Sequence, residues 1–136
     1  METGELDKVL VDTSVWIEFF RKKDPWHRAV EQLMDEDRVC CTGLVLAELL
    51  QGARSDQEIA VLKDFIHVFP FFADSPQRWT EAGELSYRLQ RKGKTAGLSD
   101  CYLAAIVQAN NAIMLTRDKH FDAIKSVVPL HLLAVK

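Results

Sequence analysis

Apolar positions along this chain follow two periods that alternate. The run from Lys8 to Val11 precedes Asp12, Thr13 and Ser14, and reads as a buried strand ending in a turn. A helical stripe of Val15, Trp16, Phe19 and Phe20 follows, with Thr13 or Ser14 as its expected cap and a stop near Lys23, Asp24 and Pro25. Pro25 suits the first turn of a second helix, whose apolar side is Ala29, Val30, Leu33 and Met34. Arg38 to Thr42 reads as a second strand, Leu44 to Ala53 as a helix, and Gln57 to Ile66 as another with Ile59, Leu62 and Ile66 on one face.

His67 to Pro70 reads as a short third strand. Pro76 to Lys92 is a helix striped by Trp79, Ala82, Leu85 and Leu89, and Gly93 to Gly97 is a loop. Ser99 is the expected cap of a helix running to about Asn110. Ala112 to Thr116 is a clear strand, Asp118 to Ile124 a short helical turn, and Leu130 to Val135 a last strand. Strands alternating with helices predict an α/β sandwich around a mostly parallel sheet. No linker is long enough to divide it, so residues 1–136 read as one domain.

Composition narrows the class. With 48% apolar and 27% charged residues in a chain of 136, this is an ordinary globular composition, large enough to bury a core. The acidic start, Met1 to Lys8, has no apolar signal region, and no run is long enough to span a membrane. Cys40, Cys41 and Cys101 are odd in number and two are adjacent, which suits a reducing cytoplasm rather than a disulfide framework. The net charge of −3 argues at first against a nucleic-acid partner. Local basic stretches around Arg21, Arg88 to Lys94 and Arg117 modify that, as would any cation held by the acids.

The candidate chemistry lies in four acids. In an open parallel sheet, ligands bind beyond the carboxyl ends of the strands. Both of the clearest strands end in an acid close to a hydroxyl: Asp12 beside Thr13 and Ser14, Asp118 two residues after Thr116. Taken singly, each would be a helix cap. Glu48 stands in Leu44-Val-Leu-Ala-Glu-Leu-Leu50, where apolar neighbours leave either a narrow polar strip with Gln51 or a demand for a cation or hydrogen bonds. Asp100 lies in the first turn of its helix, where the dipole alone would favour it, yet it shares a face with Leu103, Ala104 and Val107. The combination points to a hard divalent cation, Mg²⁺ or Mn²⁺, held by oxygen ligands.

On these residues the sequence resembles the PIN-domain ribonucleases, and among them the VapC-type toxins of toxin–antitoxin pairs. The matching pieces are Leu-Val-Asp12-Thr-Ser-Val-Trp, Val-Leu-Ala-Glu48-Leu-Leu-Gln-Gly, Gly-Leu-Ser-Asp100-Cys-Tyr-Leu-Ala-Ala and Leu-Thr-Arg-Asp118-Lys-His-Phe, in order over nearly the whole chain. The resemblance implies a three-layer α/β/α fold and Mg²⁺- or Mn²⁺-dependent cleavage of RNA in the cytoplasm. It implies a catalytic quartet of Asp12, Glu48, Asp100 and Asp118, with metal on Asp12, Asp100 and Asp118 and support from Ser14 and Thr116. A VapB-like antitoxin and a homodimer are its implied partners. Many relatives carry a further acid where this chain has His120, and Asp122 lies out of that register. The expectation is one firm ion, a weaker second one, and a preference for Mn²⁺.

The implied chemistry is metal-assisted phosphodiester hydrolysis, with Glu48 as a further ligand or as acceptor of the water's proton. A partner helix could cover whatever remains exposed of Trp16, Phe19 and Phe20, of which Trp16 and Phe20 read as core. Three other readings compete. A phosphoryl-transfer enzyme would use Asp12 as nucleophile, but Ser14 stands where such enzymes usually place a second Asp. A receiver-type signalling domain leaves Glu48 and Asp100 unexplained, and a non-catalytic binding module leaves a complete quartet unused. A PIN-domain nuclease of RNA processing, without a toxin role, remains beside the toxin reading.

Overall fold

A computed structural model describes residues 7–135; the first six residues of the acidic start lie outside it. The sheet is built on β1 (Val9–Val11), fully buried on both faces as a central parallel strand must be. It pairs in parallel with β2 (Val39–Cys40) on one side and β3 (Ile113–Leu115) on the other, giving the order β2-β1-β3. Parallel bridges extend it at both edges, from Cys41 to Phe71 and from Met114 to Leu132.

Because the chain moves from β1 to one neighbour and later returns to the other, right-handed crossovers place helices on both faces. On the first crossover, α1 (Thr13–Phe20) packs against α2 (Trp26–Asp35) and α3 (Gly43–Gln51), and α3 against α4 (Asp56–Lys63). The short α5 (Phe65–Val68) follows. On the return, α6 (Pro76–Arg91) lies along α7 (Leu98–Ala109), and both contact α8 (His120–Lys125). The reversal at β1 leaves a crevice at the carboxyl ends of β1 and β3, where α/β sheets bind ligands.

Local chemistry explains the helix starts. Hydroxyls of Thr42, Ser55 and Ser75 accept the backbone N–H three residues on, capping α3, α4 and α6. The single helix expected from Gln57 to Ile66 is broken at Asp64 into α4 and α5 with Ile66 exposed, and three further details of these elements differ. The expected strand at His67–Pro70 is the end of helix α5, and the sheet pairing falls just beyond it at Phe71. Phe65 anchors that turn in the core beside Trp16, so packing overrides the β-branched and aromatic character of the run. The last strand contracts to one bridge, in which Met114 N–H donates to His131 C=O and Leu133 N–H to Met114 C=O. Finally, α7 begins at Leu98 after Gly97, so Ser99 lies within the helix instead of capping it.

Candidate active site

Asp12 follows β1 directly, and its backbone N–H donates to the carbonyl of Leu115 at 2.9 Å, continuing the ladder one step past the strand. That bond sets Asp12 beside Thr116. Asp12 is 6% exposed, and burying its carboxylate demands partners. Its Oδ2 accepts two hydroxyls, Thr116 at 2.7 Å and Ser14 at 2.9 Å. Each hydroxyl oxygen accepts in turn from the next loop: Ser14 from the N–H of Arg117 at 3.1 Å, Thr116 from that of Asp118 at 2.9 Å. Two hydroxyls therefore tie Asp12 to the loop that carries Asp118. Asp12 occupies the cap position of α1 without a side-chain capping bond, and neither Thr13 nor Ser14 caps that helix. The hydroxyls face the acids instead.

Asp118 Oδ1 accepts the backbone N–H of His120 at 2.9 Å, which shapes the turn into α8. Asp100 sits in the first turn of α7, whose next seven residues are all buried. A helix so enclosed has no freedom to turn its acid elsewhere. Asp100 is pushed up from 3.8 to about 6, chiefly by burial and then by the charges of Asp118 and Asp12; Glu48 adds to this, while His120 opposes it. Glu48, half-buried on the second turn of α3, accepts the Thr13 hydroxyl at 2.7 Å.

The structure thus brings together all four acids and both supporting hydroxyls. Two further residues join them. Thr13 holds Glu48. His120 turns its ring inward, with Nδ1 3.2 Å from Asp118 Oδ1 and 3.6 Å from Asp100 Oδ2. Ligand atoms of Asp100, Asp118 and His120 all lie within 4.8 Å of one another, a group from which Asp12 is absent. Three donors at that spacing, among carboxylates that together push Asp100 up, suit a divalent cation. Thr13 had a sequence signal of a kind, a hydroxyl next to a strand-end acid. His120 had only its place two residues after Asp118.

Beside the acids, a cleft of 540 Å³ runs between α1 and the α3–α4 pair, with Glu48 in its wall. Ile17, Phe20 and Val61 line it and stay exposed, so Phe20 is not core as expected, while Trp16 is. Arg21, Arg54 and Glu58 contribute charge at its walls.

The PIN domain family model matches residues 9–127. Ribonuclease VapC32 of Mycobacterium tuberculosis is 32% identical over 117 residues, 85% of this chain and 88% of the relative. Ribonuclease VapC11 of the same organism is 28% identical over 127 residues, covering 90% and 95%. Among solved structures, VapBC2 from Rickettsia felis, bound to a DNA fragment from its promoter, superposes with a TM-score of 0.74 at 23% identity, covering 92% of this chain and 96% of that one. The strand order, the acids at the β1 and β3 ends and these likenesses agree, and the chain belongs to the PIN-domain family, alongside the VapC ribonucleases.

Proposed function

We propose that this protein is a divalent-metal-dependent endoribonuclease and the toxin of a toxin–antitoxin pair. The observation that carries the reading is the gathering of Asp12, Glu48, Asp100 and Asp118 at one sheet edge, with Asp100 pushed up to about 6 by burial and its acidic neighbours. Such a site is electrostatically incomplete, and a hard cation completes it.

Asp100 and Asp118 are the acids whose oxygens converge closely enough to hold Mg²⁺ or Mn²⁺. Asp12 serves the same centre, with Oδ2 fixed by Ser14 and Thr116 and Oδ1 outside that clamp. The bound ion supplies charge stabilisation for the phosphodiester transition state and lowers the pKa of water. Glu48, oriented by Thr13, is placed to accept the attacking water's proton. Ser14 and Thr116 keep the β1 and β3 acids at fixed separation, so that little reorganisation is left to the reaction. The proposed hydrolysis needs no Ser–His or Cys–His pair, because the attacking nucleophile is water.

The cleft between α1 and α3–α4 supports a protein partner of the VapB kind. Its exposed Ile17, Phe20 and Val61 suit the apolar face of an amphipathic segment, and Glu48 lies where such a segment meets the acids. Trp79 and Tyr87, exposed on α6, offer a surface for a second copy. A reducing cytoplasmic setting fits three buried, unpaired thiols, with Cys41 pushed up to about 12 by burial. Among the described residues no helix is long and apolar enough to cross a membrane.

Purified protein should cut structured RNA in the presence of Mg²⁺ or Mn²⁺ and stop with EDTA. Full cleavage by Asp12→Asn or Asp100→Asn would overturn the nuclease assignment. Expression alone should arrest growth, and the adjacent gene should relieve it; harmless overexpression of active enzyme would remove the toxin role while leaving the nuclease.

A further inference from the structure

One donor in this centre is not an acid. His120 opens α8, and its place is fixed by a chain of bonds that leads back to the sheet. Its backbone N–H donates to Asp118 Oδ1, the Asp118 N–H to the Thr116 hydroxyl, and that hydroxyl to Asp12 Oδ2. The turn thereby aims the ring at the acids, although the side chain is 67% exposed.

The spacing is informative. An octahedral ion of the Mg²⁺ kind holds its donors at about 2.0–2.1 Å, so neighbouring donors are about 3 Å apart. Nδ1 of His120 lies 3.2 Å from Asp118 Oδ1 and 3.6 Å from Asp100 Oδ2, close to that separation for both. Asp12, by contrast, lies outside the mutually convergent group and spends Oδ2 on two hydroxyls. Water can bond Nε2–H of so exposed a ring, which leaves the Nδ1 lone pair to an ion.

We propose that Nδ1 of His120 joins Asp100 and Asp118 as a ligand in the metal centre, and that this nitrogen biases the centre toward Mn²⁺ over Mg²⁺. The inference rests on the reading of this site as a divalent-ion centre. Imidazole nitrogen is a donor that transition ions accept, Mn²⁺ the most weakly of the series, while Mg²⁺ keeps to oxygen and water. A second arrangement would use the same distances: a protonated His120 acting as a countercharge for two carboxylates, with no place on the metal. The two differ in what a bound ion sees.

Mn²⁺ added to the wild-type protein at pH 8 should show nitrogen modulation in pulsed electron paramagnetic resonance, lost in His120→Ala. Calorimetric titration with Mn²⁺ and with Mg²⁺ should give an affinity ratio that falls about tenfold in His120→Ala. His120→Asp should recover tight Mg²⁺ binding without the nitrogen signal. Bound Mn²⁺ without nitrogen modulation in the wild type, or an unchanged ratio in His120→Ala, overturns the ligand role. Undiminished Mn²⁺ binding in the double variant Asp100→Asn, Asp118→Asn instead overturns the metal-centre reading itself. Thermal melting of each variant establishes that the fold is intact.

Discussion

The two sides of the acid cluster are built on opposite principles. At Asp12 the carboxylate is buried and answered: two hydroxyls donate to one oxygen, and both accept from the backbone of the loop beyond β3. At Asp100 the carboxylate is held by the burial of its helix, faces three other carboxylates, and is pushed up to about 6. The first side is a completed hydrogen-bond network that fixes geometry. The second stores repulsion that only a proton or a cation relieves. A site can thus be rigid and still be short of positive charge, provided the two tasks fall to different residues.

The strongest way to break this comparison is to remove one acid from each side. Asp12→Ala and Asp100→Asn should each lower RNA cleavage by orders of magnitude, but they should move stability in opposite directions. Asp12→Ala leaves two half-buried hydroxyls without their acceptor and should cost about 1 kcal/mol. Asp100→Asn removes a repelled charge while keeping shape, and should raise the melting temperature of EDTA-treated protein by a few degrees. Melting curves that shift the same way in both variants would dissolve the distinction.

A cation should act as the mutation does. Saturating Mn²⁺ or Mg²⁺ stabilises the folded state by mass action, about 2.7 kcal/mol at a hundredfold excess over the dissociation constant. Differential scanning fluorimetry should register this in the wild type and lose most of it in Asp100→Asn.

Acidity gives a smaller and sharper test. An Asp at 3.8 in the unfolded chain and about 6 when folded binds more protons in the native state between those values. Stability from this group is therefore full below pH 4 and is lost as pH rises through about 6, by an order of 1–3 kcal/mol at most in a partly solvated cluster. Metal-free protein should lose stability between pH 4.5 and 7 from this source, and Asp100→Asn should flatten that slope. Metal-supported cleavage should run the other way and fall as pH drops through about 6, because protons compete with the ion.

The same contrast decides what could be read from the sequence. β1, α6 and the buried α7 announce themselves through uninterrupted apolar runs or a clean stripe, and with them the positions of Asp12 and Asp100. The region from Phe65 to Phe71 does not. Its aromatic and branched residues suit strand or helix, and the outcome depends on Phe65 meeting Trp16 in the core, a contact no local pattern encodes. Hydroxyls are equally ambiguous. Thr42, Ser55 and Ser75 cap helices, whereas Thr13, Ser14 and Ser99 at similar positions do not: Thr13 donates to Glu48 on α3, Ser14 donates to Asp12 while accepting from the N–H of Arg117, and Ser99 lies inside its helix. Phe20 looks like core by its spacing and lines a cleft instead.

Thr13 offers the finest test, because it links the ordered side of the site to the one acid assigned to proton transfer. Its hydroxyl donates to Glu48 Oε1 at 2.7 Å, across from α1 to α3. A hydrogen bond to a charged group contributes about 1.5–3 kcal/mol, but Glu48 is half-buried and water can replace part of what is lost, so about 1 kcal/mol is the reasonable expectation. Thr13→Val keeps the shape and deletes the donor. If Thr13 only orients Glu48, kcat should fall about fivefold, with KM for RNA and Mn²⁺ affinity unchanged, and Thr13→Ser should restore most of the rate. A loss of Mn²⁺ affinity in Thr13→Val would instead make Glu48 a ligand held in place for the ion. A wild-type kcat would remove Glu48 orientation from the mechanism and leave positioning of the acids to the bonds of Ser14 and Thr116 to Asp12.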